Sequence, residues 1–143
     1  MPSGCDFPDH NASSAEIAEM LRAAKVIAVV GLSPKPERPS HGVSAYMQSQ
    51  GYKIIPVNPG HDEILGEKAY KSLLDVPGPI DIVDIFRDPS AVPEIVDQAI
   101  TKKAKAIWMQ EGIVHNEAAE KARKAGLKVV MNKCLYKEHV KLP

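Results

Sequence analysis

Short apolar runs alternate with amphipathic stretches along most of this chain. The first amphipathic stretch opens with Ser13 followed by Glu16, the pairing of a capping box, and Ile17, Met20, Leu21 and Ala24 then recur at helical spacing. Residues 26–31, Val-Ile-Ala-Val-Val-Gly, form a continuous apolar run of the kind found in strands buried on both faces of a parallel sheet. Comparable runs at 53–57, 81–86, 106–110 and 128–131 predict five strands. Three helical stripes lie between them: Val43, Tyr46, Met47 and Gln50 ending at Gly51; Val92, Ile95, Val96, Ala99 and Ile100; and Ala118, Ala119, Ala122 and Ala125 ending at Gly126. This alternation predicts a single α/β domain, Rossmann-like and doubly wound, with a mostly parallel sheet covered on both sides. Lys68-Ala69-Tyr70 adds a small edge strand, for a five- or six-stranded sheet ordered 3-2-1-4-5-6. The domain is expected over 13–143, after a flexible segment 1–12.

Composition narrows the function. A chain of 143 residues with 44% apolar and 25% charged residues suits one globular core. Lysine plus arginine balances aspartate plus glutamate at 18 each, so no overall field recruits nucleic acid and any recognition of anions must be local. The longest apolar run, 26–32, is too short to cross a bilayer, and the polar start has no secretory pattern, so a cytoplasmic protein without membrane partners is expected. Cys5 and Cys134 make no disulfide framework, and no metal-ligand spacing occurs.

In sheets of this kind ligands sit beyond the carboxyl ends of the strands, where the strand order reverses. The segment after the first strand, from Gly31 to Gly42, places Ser40 to cap the next helix, whose free N–H groups suit a phosphate, with Ser33, Lys35, Arg38 and His41 nearby. It is neither Gly-x-Gly-x-x-Gly nor a P-loop. The second strand ends Val57-Asn58-Pro59-Gly60, without the acid that nicotinamide sites use to bind ribose. Asn58 and Pro59 suit either an adenine contact or a plain turn. Phe86 either lines the ligand or joins the core, and Arg87 either clamps a phosphate or pairs with Asp88. Ser90 is placed as a helix cap. Farther on, Gln110 and Ile113 flank Gly112, where a backbone N–H can approach a ligand closely, and Asn132 and Cys134 follow the last strand on the same edge. Trp108 reads as core.

Taken together, the phrases Val30-Gly31-Leu32-Ser33 with Arg38-Pro39-Ser40, Pro56-Val57-Asn58-Pro59, Ile64-Leu65-Gly66, 83–87, 108–113, and Cys134 with Glu138-His139 resemble the small bacterial and archaeal CoA-binding proteins. These are related to the N-terminal domain of the succinyl-CoA synthetase alpha subunit. The resemblance implies a Rossmann-like fold that binds coenzyme A or an acyl-CoA through its strand-end loops. Gly31, Ser33, Arg38, Ser40, Asn58, Phe86, Arg87, Gln110 and Gly112 are the contacts carried over. Asn132-Lys133-Cys134 departs from the Asp-Arg-Cys common in small members. The resemblance implies no reaction, so a binding module is favoured over an enzyme, with a homo-oligomer or an acyl-CoA enzyme as its protein partner. Two alternatives stand beside it: a nicotinamide-dependent oxidoreductase, and a thiol-active enzyme using Cys134 with His139 as base.

Overall fold

Five apolar strands lie side by side and parallel in the computed structural model, which describes residues 7–8 and 10–142. The elements in chain order are α1 (Ser14–Ala23), β1 (Val26–Val30), α2 (Pro39–Ser49), β2 (Lys53–Val57), β3 (Glu63–Ile64), β4 (Glu67–Lys68), β5 (Ile82–Ile85), α3 (Val92–Thr101), β6 (Ala106–Met109), α4 (Asn116–Lys124), β7 (Lys128–Val130) and α5 (Leu135–Val140). The sheet runs β2-β1-β5-β6-β7, so the winding reverses at β1. Every pairing in it is parallel.

Alternate side chains of these strands enter two separate cores, which is why the runs are apolar throughout rather than alternating. Ala28, Val83, Ile85, Ile107 and Met109 pack with Ile95, Val96 and Ala99 of α3 and with the alanines Ala118, Ala119 and Ala122 of α4. On the other face Ile27, Val29, Ile82 and Trp108 meet Ile17 and Leu21 of α1, Met47 of α2 and Leu135 of α5. Trp108 is fully buried, and its indole N–H donates to the Lys133 carbonyl at 2.8 Å, a buried donor satisfied as burial requires.

The capping box at α1 forms as expected, Glu16 N–H to Ser13 Oγ at 3.1 Å and Ser13 N–H to Glu16 Oε1 at 2.8 Å. Three other details differ. The sixth strand does not join the sheet as a strand: Lys68 pairs antiparallel with Glu63 in a small hairpin, and only Tyr70 reaches β2, through one parallel bridge to Val57. The Ala69 N–H donates to the Asp62 carbonyl at 2.8 Å, which keeps that residue with the hairpin rather than with β2. Segment 1–12, expected to be flexible, is tied down at its described end. Asn11 exchanges two bonds with the Met131 backbone, and Asn116 Nδ2 donates to the Phe7 carbonyl; Cys5 lies outside the described residues. Helix α3 is not capped by Ser90. A 3-10 turn, Pro89–Ala91, precedes it, and Asp88 caps that turn by accepting from Ser90.

Where β1 ends, Gly31 turns back with φ +94° and its N–H donates to the Val57 carbonyl at 3.0 Å. A Cβ there would stand 2.7 Å from the Phe86 carbonyl oxygen and 3.0 Å from Arg87 Cδ. Left-handed strain and backbone overlap add, so Gly31→Ala should destabilise the fold by roughly 2–4 kcal/mol. Gly42, with nothing within 4 Å of its Cβ position, serves as control. In thermal melts Gly31→Ala should fall by roughly 5–15 °C while Gly42→Ala holds or rises. Wild-type melting of Gly31→Ala would refute the steric argument.

Candidate functional site

The loops that follow β1, β2 and β5 enclose a cleft of about 450 Å³, lined by Gly31, Ser33, Pro34, Lys35, Arg38, Pro39, Ser40, Asn58, His61 and Phe86. It opens at the carboxyl ends of the strands, beside the reversal point, the place this topology leaves for a ligand. Next to it a groove of about 300 Å³ is lined by Pro39, Val43, Phe86, Arg87, Gln110, Glu111, Ile113 and Cys134. Pro39 and Phe86 border both, so the two share a wall.

Helix α2 starts against the cleft. Pro39 occupies its first turn and Arg38 is its N-cap without a side-chain cap, in a first turn holding no acid. Each of α1, α3, α4 and α5 instead carries a glutamate in its first turn, Glu16, Glu94, Glu117 and Glu138. The positive end of α2 therefore has no acid of its own first turn to offset it. Lys35 and Arg38 are exposed beside it and form no ion pair among the described residues.

Several polar residues expected as ligand contacts also shape the loops, and Ser33, Ser40 and Asn58 among them line the cleft. Ser40 does not cap α2: it is buried in the first turn, and its Oγ accepts the Ser33 N–H at 2.9 Å, while Ser33 Oγ accepts the Lys35 N–H at 3.1 Å. Asn58 makes the turn of one of its two sequence readings, Oδ1 accepting the Gly60 N–H at 2.8 Å, and its Nδ2 donates to the Leu32 carbonyl at 3.0 Å, while the residue also lines the cleft. Gly112 gives its N–H to Asn132 Oδ1 at 2.7 Å, so that donor is not free for a ligand. Pro59, Gly112 and Asn132 are exposed and line neither cavity. Phe86 is half-buried, part of the second core and of both cavity walls. Arg87 is exposed at the groove without an ion pair to Asp88. Cys134 is buried, free, and faces the groove. His139 is not its base: Nδ1 is bonded to Tyr46 Oη at 2.8 Å, and the ring packs edge-on against Tyr46 and Tyr52.

Sequence reasoning passed over His61, which follows β2 in the Pro-Gly turn and reaches the cleft, and Val43, on the first turns of α2. It also passed over Asp84. This carboxylic acid interrupts the apolar run of β5, is fully buried, and accepts a 2.7 Å bond from Gln110 Nε2. Burial pushes its pKa up to about 7, against the opposing pull of the Gln110 bond. An acid inside a strand buried on both faces was the available signal.

A third cleft, about 380 Å³, lies at the opposite end of the sheet, bordered by Glu19, Asp81, Lys105 and Lys128. There Lys105 pairs with Asp81 at 3.4 Å and Lys128 with Glu19 at 3.9 Å. Its charges answer one another, so the strand-end cleft is the better anion site.

The family model described as the CoA binding domain matches residues 25–140, most of the chain. The protein belongs to the CoA-binding domain family. It is 46% identical over 129 residues to the uncharacterized protein YneT of Bacillus subtilis, covering 90% of this chain and 96% of that one. A hypothetical protein from Pyrococcus horikoshii OT3 superposes with TM-score 0.90 and 44% identity, covering 96% of both chains. The ADP-forming acetate–CoA ligase I alpha subunit of Pyrococcus furiosus is 31% identical over 128 residues; 78% of this chain matches 28% of the subunit. This CoA-binding domain is thus homologous to a minor part of such ligases. No described helix is long and apolar enough to cross a membrane.

Asp84 makes the stability of this domain depend on pH in a defined direction. The unfolded chain releases its proton near 3.8, whereas the folded protein holds it to about 7. Folding then loses stability as pH rises through that interval, up to about 4 kcal/mol from this group. Relative to wild type, Asp84→Asn should gain stability between pH 4 and 7 and level off above. Urea unfolding of both proteins across pH 4–8 measures this; a difference constant with pH refutes it.

Proposed function

We propose that this protein binds coenzyme A, free or acylated, at the strand-end cleft and groove, as a carrier, a sensor or the CoA-holding partner of an acyl-CoA enzyme. The observation that carries the reading is the uncapped, acid-free start of α2 opening on a cleft flanked by Lys35 and Arg38. A diphosphate meets the positive end of the α2 dipole there, and the 3′-phosphate of the ligand meets a guanidinium or an ammonium. The groove past Pro39 and Phe86, with Val43 and Ile113 on its walls, is a suitable channel for a pantetheine arm, and Cys134 borders it. Membership in the CoA-binding domain family agrees with this chemistry.

Nicotinamide dinucleotides fit less well. The turn after β2 holds Asn58, whose amide is committed to its own loop, and Pro59, so no carboxylate stands ready for a ribose. Homology to a minor part of acetate–CoA ligases favours an acyl-CoA enzyme as partner, with a homo-oligomer as the alternative. A cytoplasmic location accords with such a ligand.

Calorimetry with CoA, dephospho-CoA and NAD tests the assignment. CoA should bind at least tenfold more tightly than NAD; the reverse order would overturn the reading. Arg38→Ala should weaken CoA about tenfold to a hundredfold, the loss of one charge-assisted contact, with melting unchanged because the side chain is exposed. Should Arg38 hold the 3′-phosphate, dephospho-CoA will bind wild type and variant almost equally. Should it hold the diphosphate, both ligands will weaken alike. Undiminished CoA binding by folded Arg38→Ala would remove Arg38 from the site.

A further inference from the structure

Asp84 and Gln110 form a buried polar pair with one end in the core and the other at the groove. Asp84 lies in the middle strand of the sheet, in register with Val29 of β1 and Trp108 of β6, and is fully buried. Its Oδ1 accepts from Gln110 Nε2 at 2.7 Å, and its Oδ2 has no partner. Gln110 is 4% exposed and lines the groove bordered by Phe86, Ile113 and Cys134. Since Nε2 is bound inward, the amide oxygen is left for the groove, and it has no hydrogen-bond partner among the described residues.

A primary amide has one accepting and one donating end, and turning it by 180° exchanges them without changing its shape. Only a fixed partner settles which end a ligand meets. We propose that Asp84 is a positioning residue that sets which end of the Gln110 amide faces the groove, so that the groove receives a hydrogen-bond-donating group of its ligand at that point. For the pantetheine arm of the proposed ligand, such a group is an amide N–H or the thiol. The assignment of the ligand rests on the CoA reading; the action of Asp84 on Gln110 does not.

The pair also has two states. An ionised Asp84 only accepts, which holds Nε2 inward and the oxygen outward. A protonated Asp84 offers an O–H, which Gln110 Oε1 accepts after the amide turns, and the NH₂ group then faces the groove. Burial places the exchange near neutral pH. Among the described residues the helices on that face bury no charged side chain: Ser40, Ser44 and Met47 are the buried residues of α2, with Ser44 Oγ unpartnered, Leu135 that of α5, and Ile17, Met20 and Leu21 those of α1. Tyr46 and His139 bond each other, and Glu138 pairs with Lys141. At the groove itself the titratable groups are Arg87, Cys134 and Glu111, the last tied to Lys137 at 2.9 Å.

Nitrogen-15 and carbon-13 NMR of the whole, ligand-free protein tests the pair directly. In wild type, the Gln110 side-chain amide signals and the Asp84 carboxyl carbon should titrate together with a midpoint near pH 7. In Asp84→Asn the Gln110 signals should stay fixed through that range. Gln110 signals that do not move in wild type, or that move with a midpoint different from Asp84's, overturn the inference even if the variant fails to fold. With CoA as probe, wild-type affinity relative to Asp84→Asn should rise roughly threefold to tenfold from pH 6 to 8, the effect of one added hydrogen bond. A ratio constant with pH overturns the role in recognition. Absence of CoA binding by wild type at every pH would instead overturn the proposed ligand, leaving the NMR titration to decide the amide switch.

Discussion

The carboxyl end of β1 must bend away within a space that admits no side chain, because β5 continues directly alongside it. Gly31 satisfies this with a left-handed backbone, its N–H held by Val57 and its α-carbon pressed toward the Phe86 carbonyl. Three strand ends are thereby locked together at the point where the winding reverses. From that junction the chain leaves as residues 32–38 and returns as α2 against one face of the sheet, so the position of the α2 N-terminus depends on it. A bulkier residue at Gly31 would displace the cleft wall formed by Phe86 as well as strain the turn.

Most polar side chains near the cleft act on the backbone before they can act on a ligand. Ser40 holds Ser33, Ser33 holds Lys35, and Asn58 joins the β2 turn to Leu32. A loop rich in proline and fastened by such bonds loses little further freedom when a ligand arrives, which is the physical benefit of preorganisation. The charged groups left over, Lys35 and Arg38, are then free to meet an anion with the helix end. Net charge is zero, and ion pairs elsewhere on the surface neutralise many of the remaining cations locally, so attraction arises from placement and not from an overall field.

The strands and three of the helical stripes were legible because burial on two faces demands uninterrupted apolar runs, and burial on one face demands a period near 3.6. The capping box at Ser13 was legible because both its partners lie within one turn. What sequence could not resolve was competition between nearby hydrogen-bond acceptors. Ser40 reads as a cap, yet α2 begins before it at Pro39 with Arg38 as N-cap, and the Ser40 hydroxyl accepts from Ser33; Ser90 falls inside a 3-10 turn that Asp88 caps. Asn58 borders the cleft while its Oδ1 closes the turn to Gly60, whereas Asn132 lines neither cavity and joins the β7 loop to Gly112. The edge strand expected at 68–70 is divided in the structure: Lys68 pairs with Glu63 in the small hairpin, and Tyr70 alone bridges to β2 at Val57.

Asp84 shows why a polar residue inside an apolar run carries more information than one in a loop. A loop asparagine or serine can always be satisfied by local backbone or by water, so its presence is compatible with many roles. A carboxylic acid in the central strand of a sheet has neither outlet, and a hydrophobic residue of similar size would avoid its desolvation cost. Its single bond leads to Gln110, and Gln110 leads to the groove. The unfavourable burial therefore falls on a strand position whose side chain leads, through Gln110, from the middle of the sheet to the cavity beside α2. Among the described residues the buried polar side chains are Ser40, Ser44, Asp84 and Gln110; Asp84 is the ionisable one, so its position is where burial costs most and where packing alone would have chosen differently.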